Sequence, residues 1–112
     1  PLIVVLGHDQ CGAVKATIDA LDSGDLPGGY IRDVVERVTP SILSARRDGY
    51  TGVDEFEARH VEETGNLMMQ RSRIIADKVG AGELAIVGLT YRLSEGSARL
   101  REVIGDIGEL PE

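Results

Sequence analysis

The sequence predicts an α/β protein: a parallel sheet whose strands are joined by crossover helices. Two continuous apolar runs carry that expectation, Leu2-Ile3-Val4-Val5-Leu6 and Leu84-Ala85-Ile86-Val87-Gly88-Leu89. Both are the unbroken apolar kind found in strands buried on both faces, the first of them largely β-branched. The stretch between them is patterned at helical spacing, so the strands need right-handed crossovers to lie side by side.

The first strand ends at Gly7. From Gly12 the residues Ala13, Val14, Thr17, Ile18 and Leu21 share one helical face, and Ser23-Gly24 supplies a stop. Asp25 to Gly29, with Pro27 and two glycines, reads as a loop. Ile31, Val34, Val35 and Val38 form a second amphipathic stripe. Thr39-Pro40 then predicts an N-cap and first helical position, opening a separate helix through Ile42, Leu43 and Ala45 to Asp48-Gly49. A longer helix is predicted from Asp54, with Glu57 as its capping-box partner, through Val53, Phe56, His60, Leu67, Ile74 and Ile75 to Gly80-Ala81-Gly82. After the second apolar strand, Tyr91 to Leu93, the turn Ser94-Glu95-Gly96 and Ala98 to Leu100 predict a strand, a turn and a shorter strand. The tail from Val103 to Glu112 is expected to be irregular. No repeat and no linker divides residues 1–112, which are expected to form a single domain.

Composition excludes several classes. A net charge of −7 over 112 residues opposes nucleic-acid binding, which needs a basic surface, and opposes docking on anionic lipid. No apolar run approaches the roughly 20 residues of a spanning helix. One Phe, three Tyr and no Trp offer no platform for base stacking. A single cysteine cannot form an internal disulfide, so a reducing, cytoplasmic setting is expected. A chain opening inside an apolar strand is expected to be a fragment of a longer one, because such a strand needs neighbours on both edges.

The chemistry concentrates in Gly7-His8-Asp9-Gln10-Cys11-Gly12. This segment joins the end of the first strand to the start of a helix, where α/β sheets place their ligands. Flanking glycines permit a tight turn. The helix N-terminus favours thiolate at Cys11, and a thiolate beside a neutral imidazole suits zinc. Taken alone, each residue is more often structural, and two ligands do not complete a zinc site, since even catalytic sites use three protein ligands. A phosphate cradled at the helix N-terminus is a rival reading, although neither Gly-x-Gly-x-x-Gly nor a Walker-type lysine is present.

Leu6-Gly7-His8-Asp9-Gln10-Cys11-Gly12-Ala13-Val14 resembles the signature of the β-class carbonic anhydrases, in which a strand ends in Gly-His-x-x-Cys-Gly-Ala. His60-Val61-Glu62-Glu63-Thr64 is similar to that family's long helix. Leu84 to Tyr91, followed by Glu95-Gly96, is similar to its later strand and turn. The resemblance implies a β-carbonic anhydrase fold lacking its N-terminal part and a Zn²⁺ enzyme that hydrates carbon dioxide reversibly to bicarbonate. It implies zinc held by two cysteines and one histidine, with His8 and Cys11 matching the histidine and the second cysteine. Water, hydroxide or, in a closed form, an aspartate takes the fourth position. The first cysteine and the catalytic Asp–Arg dyad belong to a Cys-x-Asp-x-Arg motif, expected upstream because this chain has no other cysteine. A dimer or tetramer is the implied assembly, and an inactive folded subunit is the alternative. Of the remaining candidates, His60 is expected to be a packed, hydrogen-bonded histidine, and Asp9 a solvated or helix-capping turn carboxylate. Arg46-Arg47-Asp48 and Arg71 to Arg73 are expected on solvated or subunit-contact faces, and Met68-Met69 in the core.

Overall fold

A computed structural model describes residues 1–107. Their elements run β1 (Leu2–His8), α1 (Gly12–Ser23), α2 (Tyr30–Arg47), α3 (Val53–Arg71), α4 (Arg73–Gly80), β2 (Ala85–Arg92) and β3 (Ser97–Ile104). The expected α/β architecture is present as a three-stranded sheet in the order β1-β2-β3. β1 and β2 are parallel, from Leu2 opposite Ala85 to His8 opposite Tyr91. β2 and β3 form an antiparallel hairpin, interrupted between Gly88 and Leu89, where Arg101 is the extra residue on β3. Arg101 donates from Nε to Thr90 Oγ1 at 2.8 Å. β3 is longer than the sequence implies and takes in Val103 and Ile104 from the expected irregular tail. The last part of that tail, residues 108–112, lies outside the described residues.

β1 differs from expectation in its burial. Leu2, Val4 and Leu6 are 54%, 50% and 61% exposed, while Ile3, Val5 and Gly7 are half-buried. The cause is topological: among the described residues β1 pairs along one edge only, and α3 covers one of its faces. The central strand β2 is paired on both edges and has Ala85, Ile86, Val87 and Thr90 buried.

α1 ends as predicted, with Gly24 in the left-handed conformation (φ 77°) and its N–H on Ala20 O. α2 does not. It is one helix from Tyr30 to Arg47 with Pro40 inside it, and Thr39 is no N-cap: its Oγ1 donates back to Val35 O at 2.6 Å. Val35, Val38, Ser41, Ile42 and Ala45 form one buried face across the proline. Burying that face outweighs the roughly 3 kcal/mol that an interior proline costs.

The long predicted helix is two. Glu55, rather than Glu57, caps α3, its Oε1 accepting the Gly52 N–H at 3.1 Å. Ser72 ends α3 and starts α4, accepting the Ile75 N–H at 3.2 Å. Leu67 and Ile74, expected on the apolar face, are 41% and 72% exposed. Met68 and Met69 are half-buried rather than core.

Two packing layers result. Between the helices, Val14, Val38, Ile42, Ala45 and Phe56 make an apolar cluster, with Cys11, Ile18, Leu21 and Val53 against it. Between α3 and the sheet, Val61 rests on two glycines of neighbouring strands. A Cβ on either Gly7 or Gly88 would meet its methyls at 2.7 Å.

Candidate metal centre

β1 carries His8 at its last position, and α1 begins immediately after Cys11. The two intervening residues reverse the chain. Gln10 adopts φ 53°, the one positive φ outside glycine among the described residues. Cys11 is extended (φ −64°, ψ 119°), so its carbonyl accepts the Lys15 N–H at 3.0 Å and opens the helix. The turn brings His8 and Cys11 to one cavity, whose other lining includes Gly7, Val14, Val38, Glu57, His60 and Val61.

His8 is exposed and held. Its Nδ1 lies 2.9 Å from Asp9 O, and a carbonyl only accepts, so Nδ1 donates there and Nε2 is the nitrogen left to meet a metal. Cys11 is a free, half-buried thiol at a helix N-terminus. An imidazole nitrogen and a sulfur on one cavity wall fit a zinc-type ion. The set is incomplete, since no group of three His, Cys, Asp or Glu among the described residues could hold a metal. The Asp–Arg dyad expected with them has no counterpart in the sequence.

Glu57 is the residue that sequence reasoning misplaced. It is 4% exposed, its carboxyl packs against Gly7, and Oε2 has no hydrogen-bond partner. Burial pushes its pKa up to about 7, against the attraction of His8. The available signal was spacing: Glu57, Val61 and Gly65 recur every fourth residue and are all buried.

The expected role of His60 holds. It is half-buried at the boundary of the same cavity, with Nδ1 2.9 Å from Ser41 Oγ. Ser41 donates to Glu63 Oε2 at 2.9 Å, so its oxygen accepts from the imidazole. Burial lowers the His60 pKa, partly offset by Glu63. Asp9 is neither free in solvent nor a helix cap: its Oδ1 accepts the Leu93 N–H at 3.1 Å. Arg46 bridges to Asp22 at 3.0 Å and lies over the Phe56 ring, tying α2 to α1 and α3.

The fold and the turn define an α/β protein that presents a histidine and a cysteine together at the C-terminal end of a parallel strand. The carbonic anhydrase family profile matches residues 1–98, and the chain belongs to that family. It is 62% identical over 109 residues to carbonic anhydrase 2 of Mycobacterium tuberculosis, covering 97% of this chain and 53% of that protein. It is 60% identical over 110 residues to a carbonic anhydrase of Mycolicibacterium smegmatis, covering 98% and 53%. The chain therefore spans about half the length of these curated relatives. Among solved structures, the fold matches the β-carbonic anhydrase CcaA with a TM-score of 0.68 at 19% identity, over 97% of this chain and 52% of that one. It matches the Aspergillus fumigatus β-carbonic anhydrase CafD with a TM-score of 0.61 at 20% identity, over 88% and 56%. The fold is that of the β class.

Proposed function

We propose that residues 1–112 are the C-terminal portion of a carbonic anhydrase domain, and that the whole protein interconverts CO₂ and HCO₃⁻ with Zn²⁺ held in part by His8 and Cys11. The observation carrying this reading is their meeting on one cavity wall with His8 Nε2 left free. Bound zinc supplies a Lewis acid that draws the pKa of a water beside it from about 15.7 toward about 7. Within this chain, His8 and Cys11 serve as ligands and neither is a nucleophile. The Asp9 carbonyl fixes the orientation of the His8 ring, and Cys11 is a free, half-buried thiol at the helix N-terminus. The first cysteine and the Asp–Arg dyad would come from an upstream segment.

A second reading, an inactive folded subunit, is favoured by the missing third donor among the described residues. Carbon dioxide and bicarbonate are the small-molecule partners of the first reading, with assembly as a homo-oligomer in the cytoplasm. No helix among the described residues is long and apolar enough to cross a membrane. One experiment separates the two readings. Zinc content by atomic absorption and stopped-flow CO₂ hydration are measured for this chain alone and for the chain with its upstream segment, each as parent and Cys11→Ser. The longer parent should hold one zinc per subunit and be active, Cys11→Ser should lose the metal, and the short chain should be nearly inactive. Full zinc in Cys11→Ser would remove Cys11 from the site, and an inactive longer protein would favour the second reading.

A further inference from the structure

Asp9 is tied at three separate points. Its backbone N–H donates to Tyr91 O at 2.9 Å, extending the β1–β2 ladder one residue past His8. Its carbonyl accepts from the His8 ring at 2.9 Å. Its carboxylate Oδ1 accepts the Leu93 N–H at 3.1 Å, from the residue just beyond β2 where the hairpin turn begins. Gln10, next in the chain, sits at φ 53°, a conformation costly for a non-glycine residue and held only where neighbours determine it. Cys11 has no side-chain cap of its own to set the start of α1.

We infer that Asp9 is a positioning residue, which clamps the turn carrying His8 and Cys11 to the β2–β3 hairpin and so presets both donors for a divalent metal. The Leu93 bond is the part of this clamp that depends on the Asp9 side chain. Without it, the strained step at Gln10 is free to relax, carrying the Asp9 carbonyl off the His8 ring and Cys11 out of register with α1. The inference rests on the proposed role of His8 and Cys11 as metal ligands. The clamp itself exists without metal and is tested without it.

The test compares the longer protein, with its upstream segment, as parent and as Asp9→Asn and Asp9→Ala. Asparagine keeps an oxygen acceptor at the same place and lacks the charge, whereas alanine removes the acceptor. In the metal-free protein, exchange of the Leu93 amide should quicken by about 10-fold or more in Asp9→Ala and change little in Asp9→Asn. Nitrogen-15 relaxation at Gln10 should report a more mobile turn in Asp9→Ala alone. Affinity for Zn²⁺, from competition with a chromophoric chelator, should fall about 10- to 100-fold in Asp9→Ala and stay within about 3-fold in Asp9→Asn. Circular dichroism of each variant confirms that the fold survives. Parent-like Leu93 exchange in Asp9→Ala would overturn the clamp, and equal zinc losses in both variants would assign the effect to charge rather than position. If the parent binds no zinc while the exchange and relaxation differences appear, the clamp stands and the metal reading fails.

Discussion

Glu57 places an ionisable group in a buried position, and its consequence for stability has a definite sign. Below the ordinary value of 4.5 the carboxyl is protonated in the folded and the unfolded chain, so burial removes no charge from water. Between 4.5 and about 7 the unfolded chain ionises first, and folding stability falls as pH rises through that window. The span corresponds to about 3 kcal/mol at most. Glu57→Gln, a neutral side chain of the same shape, should match the parent near pH 4 and be more stable by about 1–3 kcal/mol above pH 7. Urea melts of the metal-free chain across that range measure it, and superimposable pH profiles would contradict the burial of this carboxyl. His8 and Cys11 were legible because their relation is local, a turn within six residues bounded by glycines. Glu57 was not, because its burial is decided by Gly7 and Val61, which meet only in the folded chain.

Elements whose limits are written in adjacent residues were readable in the same way. The Gly24 stop of α1 and the Ser94-Glu95-Gly96 turn are such cases, and both strands were found, though each starts or ends away from its expected limit. α2 and α3 were misread because a local signal met a tertiary one. Thr39-Pro40 has the form of a helix start, yet the buried face from Val35 to Ala45 runs straight through it. Ser72 has little weight in an apolar count, yet its hydroxyl caps Ile75 and divides α3 from α4. If burial alone holds α2 together at Pro40, then Pro40→Ala should restore a backbone donor and stabilise the chain by about 1–2 kcal/mol. A calorimetric melt should show a higher Tm, and a lower one would mean that the proline ring contributes packing that alanine cannot replace.

At the scale of the molecule, the open side of β1 is the dominant fact. Its outer edge carries no partner strand among the described residues, and Leu2, Val4 and Leu6 face outward beside it. An unpaired edge with an apolar row is a template for association. The 112-residue chain alone should therefore self-associate at micromolar concentration, with the upstream segment suppressing non-specific aggregation in favour of a defined oligomer. Light scattering on both forms checks this, and a stable monomer of the short chain would show that the exposed row is tolerated in water.

The bond between Asp9 and Leu93 joins residues 84 positions apart, and the parallel pairing of β1 with β2 spans a similar distance. The β2–β3 hairpin, by contrast, closes over a short turn between Arg92 and Ser97. Closing a long loop carries an entropy penalty that must be met before its contacts give anything back, so distant pairings form late on the way to the native state. The turn that presents His8 and Cys11 therefore takes its final shape only once β2 and the start of the hairpin turn have packed beside β1. A ribosome would have to release the β2–β3 hairpin before these two side chains could be set, so their turn would be among the last parts of residues 1–107 to take shape during synthesis.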